Sequence, residues 1–119
     1  MDSLPHWLTT EIAVTGQISP KNVSQVKKMG FKSIICNRPN YEHEKSQPTQ
    51  ESIEAEAKKL GVSFKFLPVS SNKQTEEEAT IMANYLHNLP KPILAYCRSG
   101  GRSSALIGLS VHLGLFRPN

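Results

Sequence analysis

The chain is short of cysteine, of aspartate and of long apolar runs, and these shortages remove whole classes of protein. Only Cys36 and Cys97 are present among 119 residues, too few for a disulfide framework and too far apart in sequence for a metal knuckle. A reducing compartment is expected. His6, His87 and His112 fall singly, without cysteine or carboxylate at ligand spacing, so no metal site is expected and no cofactor is called for. The most apolar stretch, Ala105 to Phe116, is interrupted by Ser110 and His112 and falls short of the ~20 residues that span a bilayer. Met1-Asp2-Ser3-Leu4-Pro5 lacks a basic segment followed by an apolar one. No secretory signal is visible, and a cytoplasmic protein with no membrane partner is expected. Lys and Arg outnumber Asp and Glu by 14 to 10, for a net charge of +4, but no basic cluster is interleaved with aromatics. That excess favours small anionic ligands over nucleic acid.

What is present is an alternation of strand and helix signals, with no repeat and no linker, which predicts a single domain over 1–119. Glu11 to Thr15 is a β-rich run. Ser19 is a helix cap with Pro20 at the first helical position, and Val23, Val26 and Met29 make a helical stripe that Gly30 ends. Phe31 to Cys36, with adjacent Ile34 and Ile35, is a buried strand. A long polar loop, Asn37 to Thr49, follows, and its length points to function rather than mere connection. Gln50 to Leu60 is a helix stopped by Gly61, and Val62 to Val69 a strand ending at Pro68. Thr75 and Glu78 form a capping box for a helix through Ile81, Met82, Tyr85 and Leu86. Pro90 and Pro92 bracket the entry to the strand that delivers Cys97. The fold class expected is α/β, a mostly parallel central sheet with helices on both faces. Ligands of such sheets sit beyond the carboxyl ends of the strands, where Cys97 and Asn37-Arg38 fall.

Cys97-Arg98-Ser99-Gly100-Gly101-Arg102-Ser103 joins that strand to an apolar helix. Backbone N–H groups curling into a concavity at a helix N-terminus bind anions, and small residues let the anion approach. A thiol held there ionises below its free value. An ordinary core cysteine would explain neither the two arginines nor the paired glycines. The candidate catalytic residues are therefore Cys97 as nucleophile and Arg102 as the planar fork over the anion, with Arg98, Ser99, Gly100, Gly101 and Ser103 binding substrate. Arg38 either reaches the same site from the neighbouring strand end or pairs with Glu42 or Glu44. Cys36 is read as core before resolving thiol, His43 as a mobile loop residue before a base or ligand, and Trp7 as a packing anchor.

Four blocks carry a resemblance: Thr15-Gly16-Gln17-Ile18-Ser19-Pro20, Asn37-Arg38-Pro39-Asn40 followed by Glu42, Leu67-Pro68-Val69, and Ala95-Tyr96 with the loop through Ser103. In this order, over about Ala13 to Leu115, they resemble the beta-lactamase hydrolase-like protein phosphatase-like domain. That bacterial group is also described as a rhodanese-type sulfurtransferase domain, sometimes fused to a persulfide dioxygenase. The resemblance implies a cysteine-phosphatase-like fold of the dual-specificity type, with Cys97 as nucleophile and the active-site loop between a central strand and a helix.

Three departures from the phosphatase pattern direct the reading. Four residues rather than five separate Cys97 from Arg102, and Tyr96 stands where a histidine is usual. Asp2 is the only aspartate, and the loop Val69 to Gln74, where a general acid would sit, holds no carboxylate. Glu76 to Glu78 are more readily explained as dipole partners at a helix start. The chain also stops soon after the loop helix, so an exposed apolar face inviting a homodimer or a persulfide dioxygenase partner is expected. A shorter cradle and no acid favour sulfur transfer. The function expected is a rhodanese-type sulfurtransferase passing sulfane sulfur from thiosulfate or glutathione persulfide, through a Cys97 persulfide, to a small thiol or cyanide. The alternative is a cysteine phosphatase acting through phosphocysteine, and a third option is a non-catalytic module that binds anions or a partner.

Overall fold

The computed structural model describes residues 4–118. Five strands form one sheet: β1 (His6–Trp7), β2 (Ile12–Thr15), β3 (Ser33–Cys36), β4 (Ser63–Phe66) and β5 (Ile93–Tyr96), in the order β1-β2-β5-β3-β4. All neighbours are parallel except β1, which runs antiparallel to β2 at the edge. The helices are α1 (Val23–Lys28, entered by a 3-10 turn at Pro20–Asn22), α2 (Gln50–Lys59), α3 (Glu76–Asn88) and α4 (Gly101–His112). This is the expected α/β architecture.

Strand periodicity sorts the core into two layers. Ile12, Val14, Ile35, Ile93 and Ala95 point to one face, where Ala79, Met82, Ala83 and Leu86 of α3 and Leu106 and Ile107 of α4 cover them. The residues between them, Ala13, Ile34, Cys36, Leu94 and Tyr96, point to the other, under Val23 and Val26 of α1 and Ile53 and Ala57 of α2. Burial on both faces is why these strands read as continuous apolar runs. Phe116 closes the first layer, and Val111 and Leu113 remain exposed beside it. No described helix is long and apolar enough to cross a membrane.

Boundaries moved where local chemistry outweighed the apolar pattern. Met29 is 40% exposed rather than part of the α1 stripe, because the helix ends at Lys28 and Gly30 turns the chain away with a φ of 100°. The fourth strand is four residues long, not eight: regular pairing ends ahead of Pro68, which has no N–H to donate, although the Leu67 and Val69 N–H groups still reach the Cys36 and Asn37 carbonyls at 2.8 and 3.1 Å. β1 was not expected at all. It is two residues long, and its Trp7 stacks on Phe31 with ring centroids 5.1 Å apart, consistent with an anchoring role.

The candidate active site

β5 is a central strand, and its end delivers Cys97 into the loop that opens α4. Cys97 is 1% exposed. Its Sγ accepts from the backbone N–H of Gly100 at 3.1 Å. Burial opposes the thiolate, but the amides of Ser103, Ser99 and Gly100 and the Ser103 hydroxyl outweigh it, and the thiol lies below its ordinary value. Cys36, one strand over, shows the opposite behaviour: buried in the α1/α2 layer, its thiol is pushed up to about 11. Tyr96 points into that same layer, away from the loop's own cavity.

The loop closes over four residues because Gly100, with φ 94°, takes a left-handed conformation at the N-cap of α4. A second segment braces it. The Gln17 N–H donates to the Arg98 carbonyl at 3.2 Å and the Cys97 N–H to the Thr15 carbonyl at 3.4 Å. Gly16 is required by this approach, since a Cβ there would lie 2.9 Å from the Arg98 oxygen.

Arg102, on the first turn of α4, is 9% exposed. Its Nη1 and Nη2 donate to the two carboxylate oxygens of Glu42 at 2.9 and 3.0 Å, and Nη1 also donates to the Val69 carbonyl at 3.2 Å. Nε has no partner among the described residues. The remaining donors, Nε–H and the outer Nη2–H, are parallel and form the side-on fork that fits an oxyanion.

Arg38 requires a correction. It does not line the cavity above Cys97; it is 2% exposed and donates to Glu42 at 3.2 Å, Gln17 at 3.0 Å and Glu44 at 3.4 Å. Of the two roles open to it, the pairing with the loop glutamates is the one realised, and it reaches the anion loop through Glu42 and Gln17. Burial would raise the Glu42 carboxyl, but hydrogen bonds from Arg102 and Arg38 hold it below the usual carboxylate range.

The cavity over Cys97 has a volume of about 330 Å³. Arg98, Ser99, Gly101, Arg102 and Ala105 line one side, and His43, Ser71, Asn72 and Gln74 the other. Of the expected binding residues, Arg98, Ser99 and Gly101 thus face it, while Gly100 and Ser103 contribute to the seat of the sulfur. Glu76 to Glu78 do not line it: Thr75 and Glu78 make the reciprocal capping box, and Glu76 and Glu77 are exposed. Asp2 lies outside the described residues. Two contributors were not among the expected site residues, although both stand in one of the four blocks that carry the resemblance. Asn37, fully buried, accepts from the Ser103 hydroxyl at 2.8 Å and donates to the Leu67 carbonyl at 3.0 Å, tying three segments together. Glu42 looked like one of several loop acids until the fold set it between two arginines.

Residues 6–113 match the family model of the beta-lactamase hydrolase-like protein, phosphatase-like domain. The chain belongs to that family. The beta-lactamase hydrolase-like protein of Xylella fastidiosa is 28% identical over 103 residues, which are 87% of this chain and 24% of that protein. The phosphatase-like domain therefore spans about a quarter of the length of the curated relatives it matches. A crystal structure of a candidate phosphatase from Neisseria meningitidis superposes with a TM-score of 0.78 at 31% identity, covering 86% of this chain and 72% of that one. The core catalytic domain of the PP-IP phosphatase SIW14 from S. cerevisiae shares the fold, with a TM-score of 0.70 at 22% identity over 95% of this chain and 67% of its own.

These likenesses overturn the expectation of sulfur transfer, and with it the thiosulfate or persulfide donor. This phosphatase-like domain is cysteine-phosphatase-like in family and fold. The loop-length argument fails physically because the left-handed Gly100 closes the turn in four residues. Amides still converge on the sulfur, and the buried Arg102 Nε–H is left unpaired beside a cavity larger than a sulfur atom requires.

Proposed function

We propose that this domain is a cysteine-dependent phosphatase that hydrolyses phosphate monoesters through a phosphocysteine intermediate. The observation that carries this reading is the Arg102 fork. Three of its hydrogen bonds go to Glu42 and Val69, leaving Nε–H and one Nη2–H for a tetrahedral oxyanion above the Cys97 sulfur.

In the first step the Cys97 thiolate attacks phosphorus, an S–P bond forms and the ester P–O bond breaks. The leaving oxygen takes a proton. In the second step water attacks phosphorus, the S–P bond breaks, and phosphate and thiolate are released. The loop amides and Arg102 stabilise the charge that spreads over the equatorial oxygens in both steps. Glu42 keeps Arg102 oriented, and Arg38 keeps Glu42 ionised. Because Cys97 is already biased to the thiolate, no separate base is needed to activate it.

The test is hydrolysis of p-nitrophenyl phosphate by the domain and by Cys97→Ser, with acid quench and intact-mass analysis. The expected result is turnover inhibited by vanadate, a phosphoryl adduct on Cys97, and neither in the variant. An unaltered protein that shows no turnover and no adduct would overturn the reading.

A further inference from the structure

Hydrolysis of an unactivated ester needs a proton for the departing oxygen, and the described residues that line the cavity include no carboxylate. Ser71, Asn72 and Gln74, from the loop facing Cys97, cannot act as acids near neutral pH. Glu42 is nearby but serves two arginines and is held ionised. Glu76 to Glu78 stand at the start of α3, outside the cavity lining.

One side chain in that lining is of a type that can hold and yield a proton near neutrality: His43. It lies on the long loop between β3 and α2 and lines the same cavity as Cys97, Arg98 and Ser99, half exposed, with Nε2 3.6 Å from Glu42 Oε1. Glu42 and Glu44 flank it in sequence, and Cys97, Arg98 and Arg102 line the same cavity.

We propose that His43 is the proton donor to the leaving group, an inference that rests on the phosphatase reading. As the S–P bond forms and the P–O bond breaks, a His43 ring N–H protonates the departing oxygen, and the alcohol leaves neutral. The imidazole, now neutral, takes the proton of the water that attacks phosphocysteine, so each cycle returns His43 to its starting state. A loop with no aspartate therefore does not leave the site without an acid.

The test is a series of aryl phosphates of graded leaving-group acidity, from 2,4-dinitrophenyl to phenyl phosphate, hydrolysed by the unaltered protein, His43→Ala and His43→Gln. General acid catalysis is worth roughly 10²–10⁴-fold where the leaving group needs it. In kcat/KM, which reports the first step alone, the loss for both variants is expected to grow along the series, from a few-fold for the dinitrophenyl ester to about 10²-fold for phenyl phosphate. The high-pH limb of the phenyl phosphate profile should also disappear. An equal loss across the series, or no loss, would overturn the inference while leaving the phosphatase reading intact. If the unaltered protein hydrolyses none of the esters, the phosphatase reading falls and this inference with it.

Discussion

Arg102 and Glu42, sixty residues apart in sequence, are joined end-on, Nη1 to Oε2 at 2.9 Å and Nη2 to Oε1 at 3.0 Å. The bond fixes the guanidinium plane and leaves the buried Nε–H on the arginine's other edge unpaired. Glu42 also accepts from Arg38 Nε at 3.2 Å, so one carboxylate stands between two buried cations.

Glu42→Gln should therefore damage both stability and anion binding. It leaves two nearly buried guanidiniums without their shared counter-charge, a loss of about 2–4 kcal/mol given that Glu42 keeps some solvent contact. Urea unfolding would measure this, and phosphate competition would show weaker binding because Arg102 is freed to rotate. Acid should mimic the substitution. The carboxyl's folded-state value is lowered, so its stabilisation is complete above the ordinary carboxylate value and is lost as pH falls through the folded one. Unfolding midpoints for the variant should be the less sensitive to pH below about 4.5, the ordinary value.

The two thiols should separate cleanly under alkylation. Cys97 is held below its ordinary value and faces a cavity, whereas Cys36 is buried with its thiol pushed up to about 11. At pH 7 iodoacetamide should label Cys97 first, faster than a free cysteine, and Cys36 only on unfolding. Peptide mapping after partial labelling checks this. Equal labelling of both would show that the loop does not stabilise a thiolate.

The sheet and the anion loop were legible in sequence because they rest on local signals: apolar β-branched runs, capping residues, and glycines ahead of a helix. Thr75 and Glu78 formed the expected box, and Ser19 capped the turn ahead of α1. The partners of the catalytic arginine were not legible. Nothing in the spacing separates Glu42 from Glu44; only the packing of β3 against β5 brings the 37–49 loop over α4. Arg38 was left between two roles for the same reason, since a strand-end arginine reads alike whether it meets substrate or a neighbouring carboxylate. Reaction class was misread because residues were counted between Cys97 and Arg102 without the left-handed Gly100, which sets how far the loop reaches.

Gly16→Ala should reduce turnover although Gly16 lies far from Cys97 in sequence. A Cβ would sit 2.9 Å from the Arg98 carbonyl oxygen, a backbone atom that cannot step aside without moving the loop. A displacement of a few tenths of an ångström moves amide donors away from the ~2.7–3.1 Å at which they stabilise charge, so a loss of roughly 10-fold or more in kcat is expected. The far-UV spectrum should be unchanged, because the strand and helix ends on either side are not strained. Unaltered kinetics would show that the brace is not rigid.

Asn37→Ala should separate the seating of Ser103 from the chemistry of Cys97. Asn37 is buried, accepts from the Ser103 hydroxyl at 2.8 Å and donates to the Leu67 carbonyl at 3.0 Å. Removing it strands a buried carbonyl and costs about 1–3 kcal/mol of stability. The effect on the thiol has the opposite sign from a simple loss. Ser103 has one hydroxyl proton, and Asn37 and the Cys97 thiolate are both acceptors for it. Without Asn37 the hydroxyl is free to donate to sulfur, and the Cys97 thiol should fall further below its ordinary value. Ser103→Ala removes that donor altogether and should raise it. The pH dependence of iodoacetamide labelling measures both: the Asn37→Ala curve should move to lower pH and the Ser103→Ala curve to higher pH than the unaltered protein. Shifts of the two curves in the same direction would show that Asn37 supports the thiolate through the loop backbone instead of competing for the serine proton.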